Sequence, residues 1–366
     1  MVKNEMDIIE SFIRYNLNIV DGMIILDNNS SDNTLTIIKN LMDEGLSVFY
    51  IEDEDSEYGQ DKKMTNLLNI AVDKFDADII IPLDVDEFIT SKDRGNPRKL
   101  LEKLDSQSYY LVKWKTYIPY FDKKIHSKFI PSQITFARDE EFEKYYKVII
   151  PSELVKNYSV KLSVGNHEII YEEKYKNIIK SEYKPDLCLA HFPLRSREQT
   201  LSKIVIGWIS SLHRENRVKG ESFHWENIFN TLKEIEEISN EDVTNLATEY
   251  ALKGDVGPVN IKLDPMDLTF CNNINIIYTP DKINPISNLL YGFELFSNSH
   301  LNFKKESIKN EQRLNTEITS VLLELKDFIE QEKLLKSKIY KYENSLSWKI
   351  TSPLRKVSKM IRNRNN

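Results

Sequence analysis

A wound α/β sheet is the fold that the first hundred residues predict, and three observations predict it. Short apolar runs at residues 23–26, 47–51 and 79–88 alternate with amphipathic helical patterns. Polar, turn-forming segments separate them, above all Asp27-Asn28-Asn29-Ser30-Ser31-Asp32-Asn33-Thr34. The third run closes on Asp84 and Asp86, one residue apart, at the kind of strand end where ligands of wound sheets bind.

In chain order, Ile8, Ile9, Phe12, Ile13 and Leu17 recur at helical spacing, and a strand follows the Asp21-Gly22 turn. The polar loop, with Ser31 or Asp32 as the cap, runs into a second helix carrying Leu35, Ile38, Leu41 and Met42. After the strand at 47–51, Met64, Leu67, Leu68, Ala71, Val72 and Phe75 mark a third helix. If 79–88 is extended, Asp84 and Asp86 share one face, and a divalent cation is the simplest device for holding both acids there. Acids after a strand also begin turns or cap helices, and Pro82 cannot donate to a sheet ladder, so the strand is expected to be short or kinked.

Beyond residue 98 an alternating Tyr110, Val112, Trp114 segment and polar-aromatic stretches at 117–121 and 142–146 are expected to shape an acceptor cleft. Residues 226–252 return to helical spacing, whereas 255–298, rich in Asn and Pro, carries no clear pattern. Leu314, Ile318, Val321, Leu325, Phe328, Leu335, Ile339, Tyr342 and Leu346 then alternate at four and three, interrupted at Glu332, as in a coiled-coil seam. From Ser347 onward no acid occurs. There Trp348, Ile350, Leu354, Val357, Met360 and Ile361 interleave with Lys349, Arg355, Lys356, Lys359, Arg362 and Arg364, a composition suited to an anionic membrane surface or to a solvated tail.

Composition narrows the function classes. A chain of 366 residues that is 40% hydrophobic can bury a full core, and a net charge of -7 argues against general nucleic-acid binding. Cys188 and Cys271 are too few for a disulfide framework, so a reducing, cytoplasmic setting is expected. No signal peptide and no apolar run of membrane-spanning length is evident.

With Lys3-Asn4-Glu5, the Asp27 to Thr34 loop and Asp84-Val85-Asp86-Glu87-Phe88 in that order, the chain resembles the family 2-like glycosyltransferases of the GT-A fold, in the bacterial branch with an Asp-x-Asp-Glu-Phe motif. His191-Phe192-Pro193-Leu194-Arg195-Ser196, with Glu198, Gln199 and Lys203, also looks like this branch. The resemblance covers roughly residues 1–215. It implies a GT-A, Rossmann-like mixed sheet flanked by helices, with a donor half at about 1–100 and an acceptor half at about 101–215. A helical or irregular extension at 216–302, a coiled coil at 303–346 and a basic amphipathic tail at 347–366 would follow.

The resemblance also implies an activity, the transfer of a sugar from a UDP- or GDP-linked donor to a hydroxyl of a glycan or glycolipid acceptor of a cell-surface polysaccharide or glycoconjugate, with inversion. Asn4, Glu5, Asp27, Asn28, Lys63, Asp84 and Arg195 would bind the nucleotide sugar. Asp84, Asp86 and His191 would hold Mn²⁺ or Mg²⁺, which stabilises charge on the leaving diphosphate. His191, followed by Arg195 and Lys203, forms a small cluster suited to a diphosphate, while Lys62 and Lys63 open the helix before the metal strand. Glu168, beside His167, is the expected general base and Glu87 its competitor. The tail suggests peripheral contact with the inner face of a membrane, and the seam suggests a homo-oligomer. Only Met1 and Val2 precede Lys3, so the family's first strand is expected to be nearly missing here and an N-terminally extended version to be more stable. Two other readings fit the acids: an Asp-x-Asp phosphatase, which however wants Thr or Val where Phe88 stands, and a non-catalytic coiled-coil scaffold with a nucleotide-binding domain.

Overall fold

The computed structural model describes residues 1–53, 59–121, 127–141, 146–212, 220, 222–254, 257–272 and 274–362. Most of the 142–146 stretch, Asp255 and the last four residues of the basic tail, with Arg364, lie outside the described residues. The chain divides into two compact units, Met1–Gly292 and Phe293–Asn366.

The first unit opens with α1 (Ile9–Asn16), β1 (Met23–Asp27), α2 (Thr34–Asp43), β2 (Val48–Glu52) and α3 (Gln60–Phe75), in the alternating order that the periodicity predicts. β1 and β2 run parallel, with Met23 opposite Val48 and Asp27 opposite Glu52. Val2 extends this pair from the other edge, donating its N–H to the Leu26 carbonyl and accepting from Asn28 N–H.

The acidic run departs from expectation. β3 is only Ile79–Ile80, and the chain re-enters the sheet as β4 (Glu87–Ser91). Pro82 supplies no N–H, and the Glu87 N–H closes a turn onto the Asp84 carbonyl at 3.0 Å. Asp84 and Asp86 therefore stand in a turn between two strands, and the alternation that would align them along one extended strand does not apply.

Next come α4 (Arg98–Leu101), β5 (Ser108–Ile118), α5 (Ile130–Gln133), β6 (Phe136–Arg138), β7 (Tyr146–Pro151), α6 (Ser152–Tyr158), β8 (Lys161–Leu162) and β9 (Ile169–Ile170). The unit is completed by β10 (Lys180–His191), α7 (Arg197–Leu212), α8 (Phe223–Glu234), α9 (Asn240–Thr248) and β11 (Ile261–Leu263). The helical spacing at 226–252 thus resolves into α8 and α9. β5 is the centre of a mixed sheet: it pairs antiparallel with β6 and β7 on one edge and parallel with β10 on the other, and β10 pairs antiparallel with β4. Ile9, Phe12 and Ile13 of α1 and Ile37, Ile38 and Leu41 of α2 form one core with Phe88, Tyr110 and Leu189. Met64, Leu68 and Val72 of α3 form a second with Val148, Ile150 and Leu154. A third core joins Ile204, Ile228 and Val243 of α7 to α9 to Ile118 and Leu194.

α10 (Pro285–Asn344) carries the chain into the second unit, where α11 (Leu346–Ile350) and α12 (Ser352–Arg362) follow. The seam residues Leu314, Ile318, Val321, Leu325 and Phe328 are all exposed, and the Arg355 guanidinium lies 3.6 Å from the centre of the Trp348 ring. Among the described residues, no helix is long and apolar enough to cross a membrane.

Candidate active site

Strand register assembles the centre of the site. Trp114 and Thr116 lie on the same face of β5 as Val112, because side chains two apart share a face. Lys147 of β7 is opposite Val112, His191 of β10 is opposite Thr116, and Glu87 of β4 is opposite His191. Lys147, Trp114, His191 and Glu87, from four strands, are thereby delivered to one face.

They bond accordingly. Trp114 Nε1 donates to Glu87 Oε1 at 2.6 Å, Asp84 N–H donates to Glu87 Oε2 at 3.0 Å, and Lys147 Nζ lies 3.2 Å from Glu87 and 2.6 Å from Asp84 Oδ2. Glu87 is wholly buried, and burial pushes its carboxyl up while the Lys147 charge opposes the shift. With both oxygens held, Glu87 fixes the turn. Asp84 is half-buried, and its other oxygen faces Gln60 at the start of α3 at 3.5 Å.

Asp86 faces a different partner. Lys203 of α7 donates to its Oδ2 at 2.5 Å and to the Pro193 carbonyl at 3.2 Å. Burial alone would raise the Asp86 carboxyl, but Lys203, with Arg195, outweighs it and holds the acid well below the usual carboxylate range. His191 stacks on Trp114 with centroids 4.6 Å apart, and burial pushes its imidazole down to about 3, so it is neutral near pH 7. Its Nδ1 is buried without a hydrogen-bond partner.

At the ends of β1 and β2 the first two motifs are stitched together. Asn4, in the left-handed region at φ 56°, receives Ser31 N–H on its Oδ1 at 2.7 Å and donates its own N–H to Ser30. Glu5 N–H donates to Thr34 Oγ1 and Met6 N–H to Asp32. Asp27 accepts Ser30 N–H on Oδ2 at 2.9 Å, while its Oδ1 is buried and unpaired. Lys3 lies within electrostatic reach of Asp27, its ammonium lowered by burial, and Lys63 pairs with Asp53 at 2.5 Å, whose N–H donates to the Asp27 carbonyl. Lys62 is exposed.

Arg195 is the bolt between the motifs and the far end of β10. Its guanidinium donates to Asp7 at 2.6 and 3.0 Å, to Glu5 at 2.6 Å and to the Phe192 carbonyl at 3.0 Å. Burial pushes the Glu5 carboxyl up to about 7 against the pull of Arg195. So engaged, Arg195 ties Glu5 and Asp7 to the segment that follows β10. His167 donates through Nδ1–H to the Tyr146 carbonyl, 2.8 Å away, edge-on to Trp114, while Glu168 points to solvent outside this network. Sequence patterns pass over Lys147 and Asp7 and give Lys3 and Trp114 no role of their own; the one local signal is a lysine inside the apolar run of β7.

Whether these groups suit a divalent cation turns on Asp86 and His191. Asp86 Oδ2 and His191 Nε2 stand 3.7 Å apart. That is too long for a hydrogen bond, yet a cation about 2.1 Å from each would span it. A neutral imidazole and an ionised carboxylate are the protonation states that ligation requires. The pair fits Mg²⁺ or Mn²⁺, which keeps waters and substrate phosphates in its remaining positions. Asp84, expected beside them, gives one oxygen to Lys147, and among the described residues no group of three or more His, Cys, Asp or Glu converges.

No curated protein matches the chain. Among solved structures, the crystal structure of S. aureus TarS 1-349 is 14% identical with a TM-score of 0.32, covering 58% of this chain and 64% of that one. The same protein in complex with UDP is 13% identical with a TM-score of 0.33, covering 64% and 70%. The chain thus spans less than two thirds of the first of these, and the overlap is too partial to carry an argument. The family comparison does reach the site: residues 1–160, which hold Asp27, Asp84, Asp86 and Lys147, match the family model described as glycosyl transferase family 2.

Proposed function

We propose that the protein transfers a sugar, with inversion, from a UDP- or GDP-linked donor to a hydroxyl of a glycan or glycolipid acceptor in a cell-surface polysaccharide or glycoconjugate, using Mn²⁺ or Mg²⁺. The observation that carries this reading is the 3.7 Å separation of Asp86 Oδ2 and His191 Nε2, two buried groups whose atom types suit a divalent cation.

Asp27 Oδ1, buried without a partner, accepts an N–H of the nucleobase, and Asn28 backs it at the end of β1. Asn4 and Glu5 hold the loop around that subsite, and Lys3 and Lys63 bring positive charge to it. Asp84, held by Lys147 on one oxygen and facing Gln60 with the other, meets the ribose. When bound, the cation acts as a Lewis acid on the leaving diphosphate. Asp86 and His191 hold it in place, with Trp114 fixing the imidazole by stacking. Glu168, exposed beside His167, takes the proton of the acceptor hydroxyl. The basic amphipathic α12 rests on the inner face of a membrane, and the exposed seam of α10 pairs with a second copy of the chain.

Calorimetry with UDP or GDP and MnCl₂ tests the reading on the wild type and on Asp86→Ala, followed by a transfer assay with a panel of nucleotide sugars. Metal-dependent binding in the wild type and its loss in the variant are expected. Nucleotide binding that ignores both metal and Asp86, without turnover of any sugar, would leave the scaffold reading standing instead. The phosphatase reading is disfavoured, because it leaves the buried, unpaired Asp27 Oδ1 without a role.

A further inference from the structure

We infer that Lys203 is a built-in counter-ion that keeps free divalent cations off Asp86 and gives way only when a diphosphate arrives with the metal. The inference rests on the glycosyltransferase reading and concerns the order in which that site fills.

The geometry makes two cations compete for one oxygen. Lys203 Nζ sits 2.5 Å from Asp86 Oδ2, the same atom that stands 3.7 Å from His191 Nε2. An ammonium and a metal ion cannot both hold that oxygen at ligand distance and remain apart, since their like charges repel. The lysine is not an incidental neighbour. It projects from α7 between buried Ser202 and Ile204, its side chain is only 18% exposed, and its second partner is the Pro193 carbonyl.

Displacing it alone is unfavourable. A bare Mn²⁺ that took Asp86 would strip Lys203 of its carboxylate and leave a buried ammonium with one neutral acceptor, and removing one partner of a buried ion pair is strongly destabilising. The neighbouring acids cannot take over: Asp84 and Glu87 are held by Lys147, and Glu5 and Asp7 by Arg195. A diphosphate removes the obstacle, because its oxygens accept the displaced ammonium while also ligating the metal. Metal and nucleotide then raise each other's affinity by the same factor, as linkage requires. No covalent bond is made or broken in this exchange.

Mn²⁺ binding, read by the loss of the free-ion electron paramagnetic resonance signal, tests the inference without any turnover. MnCl₂ is titrated into the full-length wild type, Lys203→Met and Lys203→Arg, each with and without UDP or GDP, and melting curves confirm that each variant is folded. In the wild type the nucleotide is expected to tighten Mn²⁺ by about tenfold or more, and Lys203→Met is expected to bind Mn²⁺ alone about tenfold more tightly than the wild type. Lys203→Arg, which keeps a cation on Asp86, is expected to behave as the wild type.

Wild type that binds Mn²⁺ equally well with and without nucleotide overturns the inference, and this titration stands even if Lys203→Met does not fold. Equal affinity of wild type and Lys203→Met for Mn²⁺ alone, with the ternary complex intact, overturns the inference and spares the glycosyltransferase reading. Failure of every nucleotide to bind the wild type in the presence of Mn²⁺ overturns both.

Discussion

The indole N–H of Trp114 and the carboxylate of Glu87 are 2.6 Å apart, and the bond links the central strand β5 to the strand that follows the acidic turn. Glu87 is wholly buried, so its oxygen has no water to turn to if the donor is lost. Lys147 Nζ still stands 3.2 Å from the same oxygen, so Trp114→Phe should destabilise the chain by about 0.5–1.5 kcal/mol, the net worth of one hydrogen bond. Urea unfolding at pH 7 measures it, and an unchanged midpoint would show that Glu87 finds another donor.

Arg195→Lys is the sharper test of the bolt between β10 and the Asn-Glu motif. A lysine carries the charge but cannot reach Asp7, Glu5 and the Phe192 carbonyl together. A loss of about 3–5 kcal/mol is expected, because a buried acid is left without its partner. If instead nucleotide affinity falls at unchanged stability, the guanidinium acts on the donor directly.

Gly165 is expected to resist substitution. Its φ is +77°, and a Cβ there would stand 2.6 Å from the His167 Nε2 atom. Gly165→Ala should cost about 1–3 kcal/mol through the left-handed backbone alone, and should also push the His167 ring off Trp114. Thermal melting reads the first effect and the histidine ring resonances read the second.

Glu10 fastens residues 277–279 to α1 through the N–H groups of Ile277, Tyr278 and Thr279, at 2.7 to 2.8 Å. Glu10→Gln keeps the shape but puts an NH₂ group against N–H donors. A loss of about 1.5–3 kcal/mol is expected, with hydrogen exchange accelerated at those three amides.

The pH dependence of stability should carry the mark of His224. Burial pushes its imidazole down to about 4 from 6.5. Below pH 6.5 the unfolded chain binds the proton and the folded chain does not, so acidification favours unfolding until about pH 4. Relative to His224→Gln, the wild type should therefore lose stability between pH 6.5 and 4 by up to about 1.4 kcal/mol per pH unit. Denaturation curves of both proteins across that range check the sign, and a constant difference would place the ring in water.

Periodicity made the first five elements legible, and the polar loop after β1 announced the site that Asn4 and Asp27 build. Pro82 signalled a break in the third strand, yet only the turn bond from Glu87 N–H to Asp84 shows that the two acids part toward different lysines. The lysines themselves were not legible as partners. Lys147 reaches the turn because β7 is registered against Val112, and Lys203 because α7 crosses from more than a hundred residues away. Spacing along a chain carries no information about either. Glu168 and Glu87 looked equivalent in sequence, and burial separates them: one is wet, the other sealed.

That Lys203, Arg195 and His191 all lie past residue 160 has a consequence for dissection of the molecule. A fragment cut where the recognisable segment stops would keep Asp86 but discard its ammonium neighbour, and would uncover the edges of both β4 and β5 that β10 zips shut. Such a piece would aggregate sooner than report on chemistry; the smallest portion able to stand alone must extend at least through α7.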